Sequence, residues 1–417
     1  MGLLFAPLCT PVLSVSSLTQ THLSQPVTVG AEGLAATGFA ALAGKRVGLI
    51  TNQTGRIGTE HLADLLSRAT NLKLAAILAP EHGLRGQAEA GAAVRGGRDA
   101  NTGVAIHSLY GATRRPTPAM LREVDVLVFD IQDVGVRFYT YISTMGLAMQ
   151  AAAEARIPFV VLDRPNPLGG HYVSGFVLEA PLRSFVGQYP IPIVHGLTVG
   201  ELARMIHGEK WLGGLDALEL NVVPMQGWQR SMRWPATGRP WVATSPNIPT
   251  FEAALVYPGM GLVGETDVNE GRGTPTPFSL FGAPWIDGPR LVRRLNAIGL
   301  PGVTFRSEAF TPRSIPGVAA HPRFVGVALS GVRLVVADVE RIEPLEIGMH
   351  VLAEIAAEAR ARAIAPLLPN LKMFHAVAGT RRLGDMLLAG SDGGRIIRAW
   401  QTEVEAFKSR RARYLIY

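Results

Sequence analysis

Five apolar runs in this chain stop at residues able to do chemistry, and the second stops at an acid beside an imidazole. The run ends carry Asn52 and Gln53, then Glu81 and His82, then Asp130, Gln132 and Asp133, then Asp163, Arg164 and Asn166, and then His195. Carboxylates, imidazoles, amides and a guanidinium can move protons, hold anions and orient polar groups. One acid after a strand is commonly a helix cap or a turn former. Five polar ends in succession predict a functional cleft.

The elements that must position these residues are legible as alternation. RVGLITN (46–52), LKLAAILAPEH (72–82), VDVLVFDIQD (124–133) and IPFVVLDRPN (157–166) read as short buried strands. TEHLADLLSRA and STMGLAMQAAAEAR lie between them with helical spacing. Apolar runs alternating with helices imply parallel strands covered on both faces and joined by right-handed crossovers. The first half is thus α/β, a doubly wound parallel sheet, and open sheets of this kind bind ligands outside the carboxyl ends of their strands. YPIPIVHG (189–196) is expected as a fifth strand, followed by a helix that Thr198 and Glu201 open as a capping box. Residues 227–250 read as an irregular connection and 264–285 as a long loop. Strands and helices beyond them predict a second, smaller α+β domain. The expected division is a leader at 1–43, one domain at 44–250 and another at 251–417.

Several chemistries lack their signatures. The first strand-to-helix turn reads TNQTGR, without the glycines that let a backbone approach a pyrophosphate, and no Walker lysine motif occurs. NAD, FAD and ATP are therefore not expected, nor is a serine hydrolase, since no GxSxG elbow is present. His82, Asp130, Asp133 and His195 offer a possible ligand set for zinc or manganese, although no HxH or HExxH spacing supports it. The single Cys9 rules out an intrachain disulfide. The net charge of +7 comes from scattered arginines. That spread argues against a nucleic-acid groove and reads first as a solvated basic surface, although a basic cleft could suit an acidic small substrate or an acidic cell-wall polymer. No stretch reaches the roughly 20 apolar residues of a membrane span. MGLLFAPLCTPVLSVSSL has the apolarity of an export signal without preceding basic residues. Export to the periplasm or exterior is the expected location, with a cytoplasmic one left open.

Acid–base chemistry on a polar substrate remains, and glycoside hydrolysis is its standard case, using a protonated carboxylic acid and commonly a second carboxylate. Glu81 is the attractive acid because an apolar strand and Pro80 lead into it. Tyr139 and Tyr141 could offer stacking faces to a sugar or simply pack.

The blocks LITNQTG, APEHGLRG, VDVLVFDIQDVGVRFYTYISTM, VLDRPNPLGG, HGLTVGELA, SPNIPT, NEGRGTPTPFSLFGAPW and RARYLIY resemble the NamZ family of exo-β-N-acetylmuramidases, from about Gly44 to Tyr417. The resemblance implies a Rossmann-like domain with a smaller partner, a cleft between them, and no metal or organic cofactor. It implies release of N-acetylmuramic acid (MurNAc) from the non-reducing end of peptidoglycan fragments, with MurNAc-GlcNAc saccharides or muropeptides as partners. The glutamate of the family's PEHG motif falls on Glu81. Among matching positions, Arg137, Arg164 and Arg272 are candidates for the lactyl carboxylate of MurNAc. Gln132, Asn166 and Asn247 are candidates for hydroxyl or acetamido groups, and Glu270 for the partner carboxylate. Asn52, His82, Asp130, Asp133, Tyr139, Asp163 and His195 complete the expected substrate-binding set. Two departures fall near the expected rim: Gly264-Glu265 where relatives read Glu-Gly, and Val194 where an arginine is usual. A catalytically weak muropeptide-binding protein and a metal-dependent cell-wall hydrolase are the alternatives.

Overall fold

Consecutive residues of the apolar runs point to opposite faces of one sheet. Ile50, Leu127 and Phe129 enter one buried cluster, whereas Leu49, Val126 and Val128 enter the other. The computed structural model describes residues 26–417. In chain order the strands of the first part are β1 (Arg46–Thr51), the short hairpin β2 (Arg56–Ile57) and β3 (Glu60–His61), β4 (Lys73–Ala79), β5 (Gly97–Arg98), β6 (Ala105–Ser108), β7 (Val126–Asp130), β8 (Phe159–Leu162) and β9 (Leu220–Val223). Seven of them form a sheet in the order β5-β6-β4-β1-β7-β8-β9. All its pairings are parallel except that of the edge strand β5. The chain steps outward from β1 to β4 and later resumes at β7 on the other side of β1. This reversal opens a crevice at the carboxyl edge, flanked by the segments after β4 and β7.

The fifth apolar run is not a strand. Residues 189–196 are irregular, because Pro190 and Pro192 lack the N–H groups a central ladder needs. Val194 makes only isolated bridges, to Val136 and Ser174. The sheet position expected for it belongs to β9, whose sequence LNVV is too short and too mixed to stand out. Thr198 does cap the helix Val199–Gly208, in a capping box with Glu201. The export-signal expectation concerns residues that lie mostly outside the described ones, as does Cys9. Residues 26–43, grouped with the leader, are folded in part: Thr28 bridges Gln226, and the helix Gly30–Ala36 packs on β8 and β9.

The second part contains an antiparallel sheet of β10 (Leu280–Gly282), β11 (Val303–Phe310) and β12 (Leu329–Val336), ordered β10-β12-β11. Its helices share the larger buried cluster with the first part, so Phe129, Met145, Leu352 and Trp400 belong to one core. The expected C-terminal helix breaks at Trp400 into Gly393–Arg398 and Gln401–Arg411. Its last turn returns to the first part, where Arg411 donates to the carbonyls of Gly170 and His195, both at 2.9 Å.

The helix Phe251–Val263 crosses Pro344–Ala361 at a pair of glycines. A Cβ added to Gly348 would stand 2.3 Å from the Gly259 Cα, and one added to Gly259 would stand 2.7 Å from the Gly348 Cα. Backbone cannot yield as a side chain does, so this crossing holds Tyr257, two residues before Gly259, in place. Gly348→Ala is expected to lower stability by about 1–3 kcal/mol through overpacking, measured by urea denaturation. An unchanged midpoint would refute the close crossing.

Candidate active site

Glu81 follows β4 at a sharp turn of the backbone. Pro80 ends the strand, and His82, Gly83 and Gly86 all take left-handed conformations, with φ of 69°, 78° and 70°. Glycine adopts this region freely, but histidine does so at some cost. His82 is held there by two bonds to Ala88: its Nδ1–H donates to the Ala88 carbonyl at 2.7 Å, and its own carbonyl accepts from the Ala88 N–H. Nε2 is left as the ring's free acceptor, and burial lowers the pKa of His82 despite the neighbouring Glu81.

The turn places the Glu81 carboxyl between two donors. Oε1 accepts from the Gly91 N–H at 2.9 Å, and Oε2 accepts from the hydroxyl of Thr140 at 2.5 Å. Thr140 precedes the helix Tyr141–Ala155 and so ties the acid to the segment after β7. Tyr110, beyond β6, also faces Glu81; burial first, and then the nearby carboxylate, push its phenol up to about 12. Glu81 opens on a cavity of about 390 Å³ lined also by His82, Tyr139, Asn247, Tyr257, Glu265 and Arg272. Tyr139 donates to Thr244 at 2.9 Å and stands edge-on to Tyr141 and Tyr257, with centroids 4.9 and 5.9 Å away. Tyr141 is buried behind it, donating to the Thr244 carbonyl, and presents no face to the cavity. The Asn247 amide nitrogen donates to the Val318 carbonyl at 2.6 Å, leaving its oxygen to the cavity.

Two acids separate in role on the far wall. Glu270 is ion-paired with Arg272, is buried behind it and does not line the cavity. Its expected place in the cleft is thus taken by the arginine, which stacks over Phe278 at 5.2 Å and keeps a buried, unpartnered Nε. Glu265 does line the cavity. Among the described residues its carboxylate has no ion-pair partner, and burial raises its pKa, with Glu270 adding to the effect and Arg272 opposing it.

The other strand-end residues lie beneath the cavity as a buried polar layer. Asn52 accepts from the Thr54 N–H at 3.0 Å and from its hydroxyl at 2.6 Å. Asp130 accepts two bonds from Arg164, at 2.6 and 2.9 Å, so this arginine is unavailable to a substrate anion. Gln132 donates to the carbonyls of Asp133 and Pro165, and Asn166 to that of Leu197. Asp133 accepts from the Gly135 N–H at 2.7 Å, and burial pushes its carboxyl up to about 7. Arg137 donates to the carbonyls of Phe176, Ile191 and Val377, and burial lowers its pKa to about 9. The Nδ1 of His195 accepts from the Leu197 N–H at 3.2 Å, and burial pulls the imidazole down to about 3. Asp163 gathers donors from four residues, Arg164, Thr198, Gly200 and Tyr417.

These nine residues are buried under the segments that follow the strands and none lines the cavity, although Asn52, Gln132, Asp133, Arg137 and His195 each keep one buried polar atom without a hydrogen-bond partner among the described residues. They are removed from the substrate-contacting set for that reason. The proposed metal ligands are not brought together either: among the described residues no three His, Cys, Asp or Glu side chains form a group suited to an ion. Val194 is buried against Val136 and Ser174, away from any rim. Tyr110, Thr140, Ser245 and Tyr257 line the cavity without having been singled out. Tyr110 was discoverable, because it lies two residues beyond β6, a strand in which His107 interrupts the apolar pattern. Tyr257 lies inside a helix, where no strand-end test reaches.

Residues 47–252 match the family described as exo-beta-N-acetylmuramidase NamZ, N-terminal, and residues 255–417 match its C-terminal counterpart. The chain is 41% identical to the peptidoglycan beta-N-acetylmuramidase NamZ of Bacillus subtilis (strain 168), over all of this chain and 97% of that protein. Two crystal structures of DUF1343 family proteins from Bacteroides fragilis NCTC 9343 share the fold. One has a TM-score of 0.86 at 39% identity and the other 0.76 at 34%, each covering 94% of this chain and 99% of its own. With both family domains matched in order along nearly the whole chain and a glutamate held in a carboxylate-lined cavity, the chain belongs to the NamZ exo-β-N-acetylmuramidase family of glycoside hydrolases.

Proposed function

We propose that this chain hydrolyses the β-1,4 bond that joins a terminal MurNAc to the rest of a peptidoglycan fragment, releasing MurNAc from the non-reducing end. The observation that carries the reading is the pairing of Glu81 with Arg272 in one cavity. Glu81 is the general acid: its carboxyl gives a proton to the glycosidic oxygen as the bond from that oxygen to the anomeric carbon breaks. Arg272 is the partner for the lactyl carboxylate. Its guanidinium lines the cavity, whereas Arg137 and Arg164 are spent on carbonyls and on Asp130. Asn247 and His82 present acceptors for hydroxyl or acetamido N–H groups, and Tyr139 lines the ring's path.

The second carboxylate is Glu265 rather than Glu270. Glu265 and Glu81 are the two acids lining the cavity, while Glu270 neutralises and positions Arg272 from behind. With Glu265 unpaired, its charge is available to an oxocarbenium-like transition state or to a reacting water.

Glu81→Gln should reduce the kcat for the disaccharide MurNAc-GlcNAc by about a hundredfold or more, the range expected on losing a positioned proton donor, and should reduce it less for para-nitrophenyl β-MurNAc, whose leaving group needs little protonation. Release of MurNAc from the disaccharide at the wild-type rate would remove Glu81 from the acid role. MurNAc binding by calorimetry in a wild-type protein that releases no 4-nitrophenol would instead identify a binding protein. For the anion site, Arg272→Leu should raise KM at least tenfold, the scale of one charge-assisted bidentate contact. Its penalty should shrink on a substrate lacking the lactyl carboxylate; equal penalties on both would exclude that contact. Glu265→Gln is expected to lower kcat, whereas Glu270→Gln raises KM through a displaced Arg272. The reverse pattern would return the second role to Glu270.

A further inference from the structure

The cavity beside Glu81 adjoins a second hollow. Tyr257, Phe278 and Ile248 line the cavity and not the hollow. Tyr110, Val186 and Met373 line both the cavity and the second hollow, which has a volume of about 420 Å³. The outer hollow differs in chemistry from the inner cavity: it carries Arg114 and Lys372 and no carboxylate. The Arg114 guanidinium lies 4.6 Å from the Phe185 ring centroid and 5.9 Å from that of Tyr110, and the two rings are themselves 5.9 Å apart. Aromatic faces on one side leave a guanidinium's edge N–H groups free for an anion. The adjacent Arg115 is neutralised by Glu154, but among the described residues neither Arg114 nor Lys372 is ion-paired.

We propose that this outer hollow is the leaving-group subsite and that it selects fragments whose leaving portion bears a carboxylate. The inference rests on the muramidase reading above. An acid catalyst protonates the oxygen that departs with the leaving sugar, so that sugar lies on the far side of Glu81 from the sugar being released. Tyr110 marks the passage, since it faces Glu81 from the cavity and also lines the outer hollow. On that reading the terminal sugar occupies the cavity that holds Glu81 and Arg272. The leaving chain must then run outward over Tyr110, Val186 and Met373 toward Arg114 and Lys372. The uncharged next sugar meets aromatic and methionine surface, and the carboxylate beyond it meets the two cations. That carboxylate is either the lactyl group of the next muramic acid or an acid of a peptide attached to it.

The test compares three substrates with wild-type protein and with the single variants Arg114→Glu and Lys372→Glu. They are para-nitrophenyl β-MurNAc, the peptide-free tetrasaccharide MurNAc-GlcNAc-MurNAc-GlcNAc, and the same tetrasaccharide with a peptide on its inner muramic acid only. The readout is each kcat/KM divided by that for the nitrophenyl glycoside, which cancels losses in folding or in the acid itself. Each charge reversal should lower the tetrasaccharide ratio by about tenfold at low salt, with the effect shrinking as salt screens the cations. A drop for the peptide-free substrate assigns the lactyl carboxylate, and a drop confined to the peptide-bearing one assigns the peptide. Ratios that stay at the wild-type value for both variants overturn the subsite while leaving the muramidase reading intact. Absence of turnover of all three substrates by wild-type protein overturns the muramidase reading and this inference with it.

Discussion

The carboxylate of Asp163 joins the parts of this molecule that must stay in register. It stands at the end of β8, where its oxygens accept from the N–H groups of Arg164 and Gly200 and from the hydroxyls of Thr198 and Tyr417. One side chain thereby holds the N-terminus of the helix Val199–Gly208 and the last residue of the chain. Burial of an ionisable group is expensive, and it pushes this carboxyl up to about 6 even with four donors in place. The C-terminal segment is consequently drawn onto the first part, where Arg411 binds the carbonyls of Gly170, His195 and Gly196. The two walls of the cavity come from the two parts of the chain, so their separation depends on this closure.

Above that layer, the cavity separates groups by charge and by mobility. Glu81 is clamped by a backbone N–H and a hydroxyl, both neutral donors, and among the described residues it has no ion-pair partner. The cation lies across the cavity on Arg272, held from behind by Glu270 and from one side by Phe278. On the proposed reading a Glu270 inside the cavity would repel the lactyl carboxylate; placed behind, it holds the guanidinium proposed to bind it. Glu265 shares the wall unpaired, and its raised pKa reflects burial without a dedicated counter-ion.

The sheet was legible because periodicity reports burial on two faces. The β1, β4, β7 and β8 runs, the capping box at Thr198 and the acid at Glu81 all follow from local pattern. The failures share a cause. The run at 189–196 is as apolar as a strand, but its two prolines deny it a ladder, and β9 takes the place with four residues of mixed character. The strand-end residues were assigned to the right edge of the sheet and to the wrong depth. Arg137 and Arg164 resemble Arg272 in type and in family context, yet only Arg272 reaches the cavity.

By itself the sequence determined the family, the strands of the sheet, and the turn that presents Glu81, because strand period, turn residues and motif order are local properties. The tertiary structure alone decided which polar residues meet a substrate. Exposure depends on segments distant in sequence: loops following the strands cover Asp130, Asp133, Asp163 and His195, and a helix beginning at Phe251 brings Tyr257 into the wall. Hydrogen-bond capacity is finite, so a carboxylate or guanidinium already satisfied by its neighbours cannot bind a sugar, and only the folded chain shows which neighbours those are.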